Sequence, residues 1–354
     1  MVLAVIFGKI ILTILGIGLL IFVHEFGHFI AAKFLNIKVY EFVLGYGPKL
    51  ISLKRGDTVY GVAAFPLGGY VKLEDINPED ISGKETRLRV LGDQPWGKRV
   101  CVLLGGPFMN FILPVFLIAI IFMIGVPTPT TTIEEVILGY PAVKAGFKAG
   151  DKIISIEGEK IEAWDEVTNT IKKSPNKTLN FVVLRNNKKV EIVTKIIEED
   201  GHGFLGVEVK MTTRKFNIFS ALYQGLKATI EIIWMTLKSI FLLITRKHLE
   251  GFTGKIIGPI GLVKEISIGI QEGIIVYLGI LAQMSVGLGI ANLIPIPPLD
   301  GGKLAFMGYE LIAKKPPKVQ TIFTIQAIGV ALLIFLMIVV TFSDISGFFM
   351  AGSR

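Results

Sequence analysis

Residues 5–32 read VIFGKIILTILGIGLLIFVHEFGHFIAA, and two features of this run decide the fold. Its length and apolar character exceed the roughly 20 residues needed to cross a bilayer core. Late in the run it carries His24-Glu25-Phe26-Gly27-His28, an H-E-x-x-H sequence. On a helix, positions i and i+4 share a face, so both imidazoles can bind one zinc ion. Glu25 between them can then serve as general base toward a water activated by the metal. A five-residue pattern with three fixed positions also recurs by chance. Its place inside a spanning helix argues against chance, because histidines and a carboxylate at membrane depth are costly and mark function. Half of the chain's four histidines lie in this one turn. Lys9 followed by an apolar run resembles a signal peptide, yet no convincing small-residue cleavage site follows. Cleavage would also discard the motif, so the run is read as a retained first span.

The rest of the chain fits a membrane protein. Of 354 residues, 51% are hydrophobic and 19% charged, against about a quarter charged in ordinary soluble domains. Charge is nearly absent from residues 10–23, 102–126, 274–299 and 321–343. Spans are therefore expected at about 5–32, 98–126, 274–295 and 320–343. The section GYGPKLISLKRGDTVYGVAAFPLGGYVKL, residues 45–73, consists of short β-prone runs broken by Gly and Pro, which predicts hairpins. Residues 74–97 are polar and loop-like. Residues 128–215 have soluble composition, with strand-like runs, Gly and Asp turns, and one helical stretch near 163–173. That length suits one small α+β domain.

Residues 218–245 are apolar too, but Gln224, Lys227, Glu231 and Lys238 fall on a single helical face. The pattern predicts an amphipathic helix on the membrane surface, within a segment 216–250. A fifth span is the alternative.

A net charge of +8 comes without any nucleic-acid-binding motif. Eleven Lys and Arg lie in residues 31–99, and Lys303, Lys314, Lys315 and Lys318 lie in the connection 300–319. Short basic connections stay cytoplasmic, so the 128–215 domain is expected outside. The single cysteine, Cys101, excludes an internal disulfide and any cysteine-based zinc knuckle.

Two histidines do not complete a catalytic zinc site, which has three protein ligands and an open position. The third ligand must come from another helix at similar depth. Asp300 is the candidate, in Asn292-Leu-Ile-Pro-Ile-Pro-Pro-Leu-Asp300-Gly301-Gly302. Three prolines break the helix, and backbone freed at membrane depth must line a cavity or be buried in protein. Asp300 would match the depth of His24 and His28 if spans one and three run in the same direction, which requires that 218–245 not cross. The alternative for Asp300 is a turn-capping role before Gly301-Gly302.

H-E-F-G-H together with N-x-x-P-x-P-x-L-D-G resembles the site-2 protease family of intramembrane zinc metalloproteases (peptidase M50). The flanking segments are similar to the bacterial regulator-of-sigma-E protease type. Gly45-Tyr-Gly-Pro48 and Phe65-Pro-Leu-Gly-Gly-Tyr-Val-Lys72 resemble that family's membrane-reentrant β-hairpin, and Gly105-Gly-Pro-Phe-Met-Asn110 resembles its G-x-x-x-N motif. Gly139-Tyr-Pro-Ala142, Ala145-Gly146 and Gly150-Asp151-Lys-Ile-Ile-Ser-Ile-Glu-Gly158 resemble a PDZ domain of bacterial proteases. The resemblance covers about residues 1–343.

It implies a polytopic α-helical membrane protein of about four transmembrane helices, with a reentrant β-hairpin section and one extracytoplasmic α+β PDZ domain. The membrane core would comprise 1–126, with hairpins over 40–73, and 251–354. The resemblance further implies one Zn2+ per chain, held by His24, His28 and Asp300, with Glu25 as catalytic base. Asn292 and Asn110 fall where the family has residues tied to substrate binding or transition-state stabilisation, and Gly68, Gly69 and Tyr70 belong to the hairpin that would hold substrate. Helix–helix hydrogen bonding is the alternative for both asparagines. The implied partners are single-span membrane proteins already trimmed outside the membrane, such as anti-sigma factors or remnant signal peptides. The implied location is a bacterial cytoplasmic (inner) membrane, with the active site near its cytoplasmic side. The PDZ domain would act either as a size filter, the favoured reading, or by capturing an extended peptide at a strand edge. Two rival readings are an adaptor built on the PDZ domain and a metal transporter. An adaptor has no need of Glu25 or a third ligand, and a transporter calls for more polar residues along its spans. His202 and His248 are expected to be surface residues.

Overall fold

In the computed structural model, residues 2–73, 94–245 and 258–351 are described. Most of the 74–97 loop expectation, and His248, lie outside them. The chain divides into two compact units, one of residues 1–123 and 217–354, the other of residues 124–216.

The first unit begins with helix α1 (Val2–Phe34), followed by strands β1 (Glu41–Arg55) and β2 (Thr58–Lys72) and helix α2 (Trp96–Ile124). The second unit follows with β3 (Val126–Val136), α3 (Pro141–Ala145), β4 (Lys152–Ile156), β5 (Glu159–Lys160), α4 (Trp164–Lys172), β6 (Thr178–Arg185), β7 (Lys188–Lys195), β8 (Ile197–Glu199), β9 (His202–Phe204) and β10 (Val207–Arg214). The chain then returns to the first unit through α5 (Ile218–Thr245), α6 (Pro259–Glu272), α7 (Ile274–Leu293), α8 (Asp300–Ala313) and α9 (Val319–Ala351).

Among the described residues, Phe7–Phe34, Trp96–Ile124, Ile274–Leu293 and Val319–Ser346 are long and apolar enough to cross a membrane. These agree with the four expected spans. Helix α5 is not one of them. It buries Ala221, Gly225 and Thr229 along one stripe while Phe219, Tyr223, Ile230 and Trp234 stay exposed. Helix α6 was not foreseen.

Leu20 of α1, Leu117 and Ile118 of α2, Ile266 of α6 and Leu281 and Ala282 of α7 form the buried centre of the bundle. Beside it, α1 and α2 meet backbone to backbone. A Cβ on Gly27 would collide with the carbonyl oxygen of Gly105, and one on Gly105 would lie 2.6 Å from the carbonyl oxygen of Gly27. Small residues at such a crossing let two helix axes approach closely in a membrane.

The hairpin is more elaborate than two strands imply. β1 pairs antiparallel with β2 around the turn Gly56-Asp57, with Arg55 opposite Thr58 and Leu53 opposite Tyr60. The first residues of β1 are also flanked on both sides by β2: Leu44 faces Val62 on one side and Gly69 on the other, and Glu41 faces Val59 and Lys72. Residues 69–72 therefore form an outer segment of this small sheet.

In the second unit the strand order is β10-β3-β4-β6-β7, with β5 beside β4. Ile133, Ile153, Val167, Phe181, Val183, Ile196 and Leu205 fill its core. The expected helix near 163–173 is α4, where Glu166 Oε2 accepts from the backbone N–H of Glu162 at 2.8 Å. Asp151 is fully buried and accepts from Arg185 Nε and Nη2, both at 2.7 Å, and from the Lys148 N–H at 2.8 Å. His202 is exposed, as expected.

Replacing Gly27 with Ala forces α1 and α2 apart, because the atoms its Cβ meets are backbone atoms. Overpacking of this kind costs about 1–3 kcal/mol. The expected outcome is a lower apparent Tm in detergent, read by tryptophan fluorescence; an unchanged Tm would show that the crossing tolerates a methyl group.

Candidate metal centre

His24 and His28 are one turn apart on α1, and both side chains turn inward, with residue exposures of 8% and 9%. Asp300 is 5% exposed. Its position follows from the prolines upstream. Pro295 pushes Ile294 into extended backbone, φ −66° and ψ 135°, and α7 ends at Leu293. The chain then turns through residues 294–299, with the Leu299 N–H bonded to the Ile296 carbonyl at 2.9 Å, and restarts as α8 with Asp300 in the first turn. A carboxylate is favoured there, where unpaired N–H groups gather.

These pieces bring three donor atoms together. His24 Nε2 lies 3.2 Å from Asp300 Oδ2, His28 Nε2 lies 3.1 Å from the same oxygen, and the two Nε2 atoms are 3.3 Å apart. Ligand atoms of a tetrahedral zinc, each about 2.0–2.1 Å from the ion, stand roughly 3.3–3.4 Å from one another. The triangle therefore fits one face of a zinc coordination tetrahedron, and among the described residues it is the one cluster able to hold a metal ion. The other carboxylate oxygen is occupied, since Lys303 Nζ donates to Asp300 Oδ1 at 3.1 Å.

The rings are fixed from behind. His28 Nδ1 lies 2.7 Å from the Val102 carbonyl of α2. A carbonyl can only accept, so Nδ1 carries the proton and Nε2 keeps its lone pair for a metal. Asn110 of α2 lies behind the other ring, with its amide nitrogen 3.1 Å from His24 Nδ1. Gly106 makes room for both rings: a Cβ there would strike His28 Nε2 and stand 2.8 Å from His24 Cε1.

A cavity of about 990 Å³ opens in front of the triangle, lined by Glu25, Gly69, Tyr70, Asn292 and Lys303 along with the three donors. Glu25 is half-buried on the cavity wall. Gly69 approaches it so closely that an added Cβ would lie 3.1 Å from Glu25 Cγ. Tyr70 donates to Glu41 Oε2 at 2.9 Å, and Lys49 donates to the same oxygen at 2.6 Å. Lys49 holds the Glu41 carboxyl below the usual carboxylate range, while burial and then Glu41 push the Tyr70 phenol up to about 12. Tyr70 is thus a neutral hydrogen-bond donor across the working pH range. Asn110 and Gly68 do not line the cavity. Sequence reasoning missed the site roles of Gly106, which sits inside the quoted motif of residues 105–110, and of Lys303, which directly follows Asp300-Gly301-Gly302.

A model of peptidase family M50 matches residues 12–336. The chain belongs to peptidase family M50. It is 29% identical to the zinc metalloprotease RasP of Geobacillus kaustophilus over 97% of this chain and 99% of that protein. It is 27% identical to the regulator of sigma-W protease RasP of Bacillus subtilis, again over 97% and 99%. A solved PDZ domain of an SdrC-like protein from Listeria innocua is 25% identical, covering 23% of this chain and 92% of that chain at a TM-score of 0.21. The protein is accordingly a membrane-spanning zinc metalloprotease of the site-2 type, and Zn2+ is its cofactor.

Metal analysis of the purified protein is expected to give about one zinc per chain. His24→Ala or Asp300→Ala is expected to reduce it to near zero by atomic absorption, since two donors remain in each. Retention of a full equivalent in either variant would place the ion elsewhere.

Proposed function

We propose that this protein hydrolyses peptide bonds within the transmembrane segments of single-span membrane proteins, with zinc held by His24, His28 and Asp300 and with Glu25 as general base. The observation that carries this reading is the donor triangle facing a cavity whose wall also holds Glu25. When bound, zinc supplies Lewis-acid polarisation of the scissile carbonyl and lowers the pKa of the attacking water. Glu25 takes a proton from that water and delivers it to the leaving amine. Lys303 holds Asp300 by its outer oxygen, leaving the inner oxygen toward the imidazoles. Asn292, on the same cavity wall, is placed to hydrogen-bond substrate backbone or the developing oxyanion.

A helical peptide bond is hidden by its own hydrogen bonds, so the substrate must be extended before cleavage. The outer segment of the hairpin sheet, with Gly69 and Tyr70 beside Glu25, offers backbone for strand addition. Gly68 shapes that segment.

The PDZ assignment covers 128–215, the catalytic core 1–126 and 251–354, and the interfacial helix 216–250. The exposed mixture on α5 of Phe219, Ile230 and Trp234 with Lys227 and Glu231 supports a helix lying in the membrane surface. The lysines of 300–319 and the basic section 31–99 support a cytoplasmic active site and an extracytoplasmic PDZ domain, in a bacterial inner membrane. Substrates of this class are proteins already shortened outside the membrane, including anti-sigma factors and remnant signal peptides. One relative's name ties it to sigma-W regulation, which agrees with that class. The PDZ domain then works as a size filter.

Glu25→Gln keeps all three donor atoms. It is expected to retain zinc while cleavage of a model single-span substrate in detergent falls by about 10²–10⁴-fold. Undiminished cleavage by that variant would remove Glu25 from the reaction.

A further inference from the structure

We infer that Asn110 is a positioning residue for the metal site: its side-chain oxygen accepts the Nδ1 proton of His24 and thereby holds the ring with Nε2 presented to zinc. The inference rests on the ligand assignment proposed above and assigns Asn110 away from substrate.

Asn110 is fully buried, lies 3.1 Å from His24 Nδ1, and does not line the catalytic cavity. Its Oδ1 is buried with no partner among the described residues. The amide has two orientations related by a half-turn, in which nitrogen and oxygen exchange places. With Nδ2 toward the ring, His24 Nδ1 must accept, and the proton moves to Nε2, the atom that faces Asp300 and His28. That tautomer cannot ligate a metal through Nε2. With Oδ1 toward the ring, Nδ1 donates, Nε2 is free to ligate, and the orphaned oxygen gains its partner. Zinc binding through Nε2 therefore selects the second orientation.

The backbone carrying Asn110 is itself held. Pro114 has no N–H, so the Asn110 carbonyl, four residues upstream, loses its partner within α2. Ser285 of α7, fully buried, donates to that carbonyl at 2.8 Å. α2 thus supplies one acceptor to each ring, the Val102 carbonyl to His28 and the Asn110 amide to His24.

The test is zinc affinity of the full chain in detergent, by competition with a fluorescent chelator. Asn110→Leu removes the acceptor at similar volume and is expected to weaken zinc binding about 10- to 100-fold. Asn110→Asp keeps an acceptor and is expected to hold zinc at least as tightly as the parent. The Co2+-loaded Asn110→Asp protein is expected to show shifted visible absorption, because the ligand's hydrogen bond has changed. Asn110→Leu with parental affinity, or, if that variant does not fold, an unshifted cobalt spectrum for Asn110→Asp, would overturn the inference. His24→Ala is the control. If it keeps zinc, the ligand assignment fails; if it loses zinc while Asn110→Leu does not, only the role of Asn110 fails.

Discussion

A carboxylate inside an apolar bundle is tolerable only when paired and hydrogen-bonded, and much of the first unit is arranged around Asp300. Its two oxygens divide the work, one facing both imidazoles and the other taking the Lys303 ammonium. For the imidazoles to reach that point, α1 must present His24 and His28 on the same face. α2 must come close enough to support them from behind. The reciprocal contact of Gly27 and Gly105 sets that distance. A larger residue there would move the rings away from Val102 and Asn110 together. The glycines are therefore part of the metal site although they offer no donor atom.

Helix-breaking residues carry the same logic. In water, proline inside a helix wastes a carbonyl on solvent. In lipid, that carbonyl has to find a protein partner. Pro114 frees one that Ser285 satisfies, tying α2 to α7. Pro295, Pro297 and Pro298 end α7 and let α8 begin with Asp300 facing inward. The bent loop is packed on its far side by α9, where Gly329 leaves no space for a side chain against the Pro297 carbonyl. The Pro114 break thus becomes an inter-helix tie, and the Pro295, Pro297 and Pro298 break aims a functional group.

The strongest sequence signals were those with a physical cost. Two histidines in an apolar run, and an aspartate after a triple proline break, had to find partners, and the structure brings them within 3.3 Å. The spans followed from length and charge depletion. Other features depend on contacts through space that no local pattern encodes. Helix α6 has 14 residues, too short to be recognised as a span, and only its packing against α1 and α7 reveals it. The pairing of residues 41–44 with two segments of β2 was hidden because glycines interrupt the alternation on which strand reading depends. The resemblance of residues 105–110 to a family motif singles out Asn110 but does not say whether it faces a substrate, a helix or a ring.

That hidden pairing bears on how a cleavage site is chosen. The outer segment 69–72 is joined on its inner side to 41–44, so its register within the sheet is fixed. Gly69 stands against Glu25. A strand added to this edge repeats every two residues, so sliding it by one residue reverses which side chains face the cavity. Tyr70 is already committed to Glu41, which Lys49 also holds, so it anchors the edge instead of contacting side chains freely. On the proposed reading, the bond to be cut is selected by register against a fixed edge more than by a side-chain pocket. Such a device suits an enzyme whose substrates share little beyond an apolar segment that can be unwound. On that reading the edge must come close to Glu25, and the missing side chain at Gly69 permits that approach.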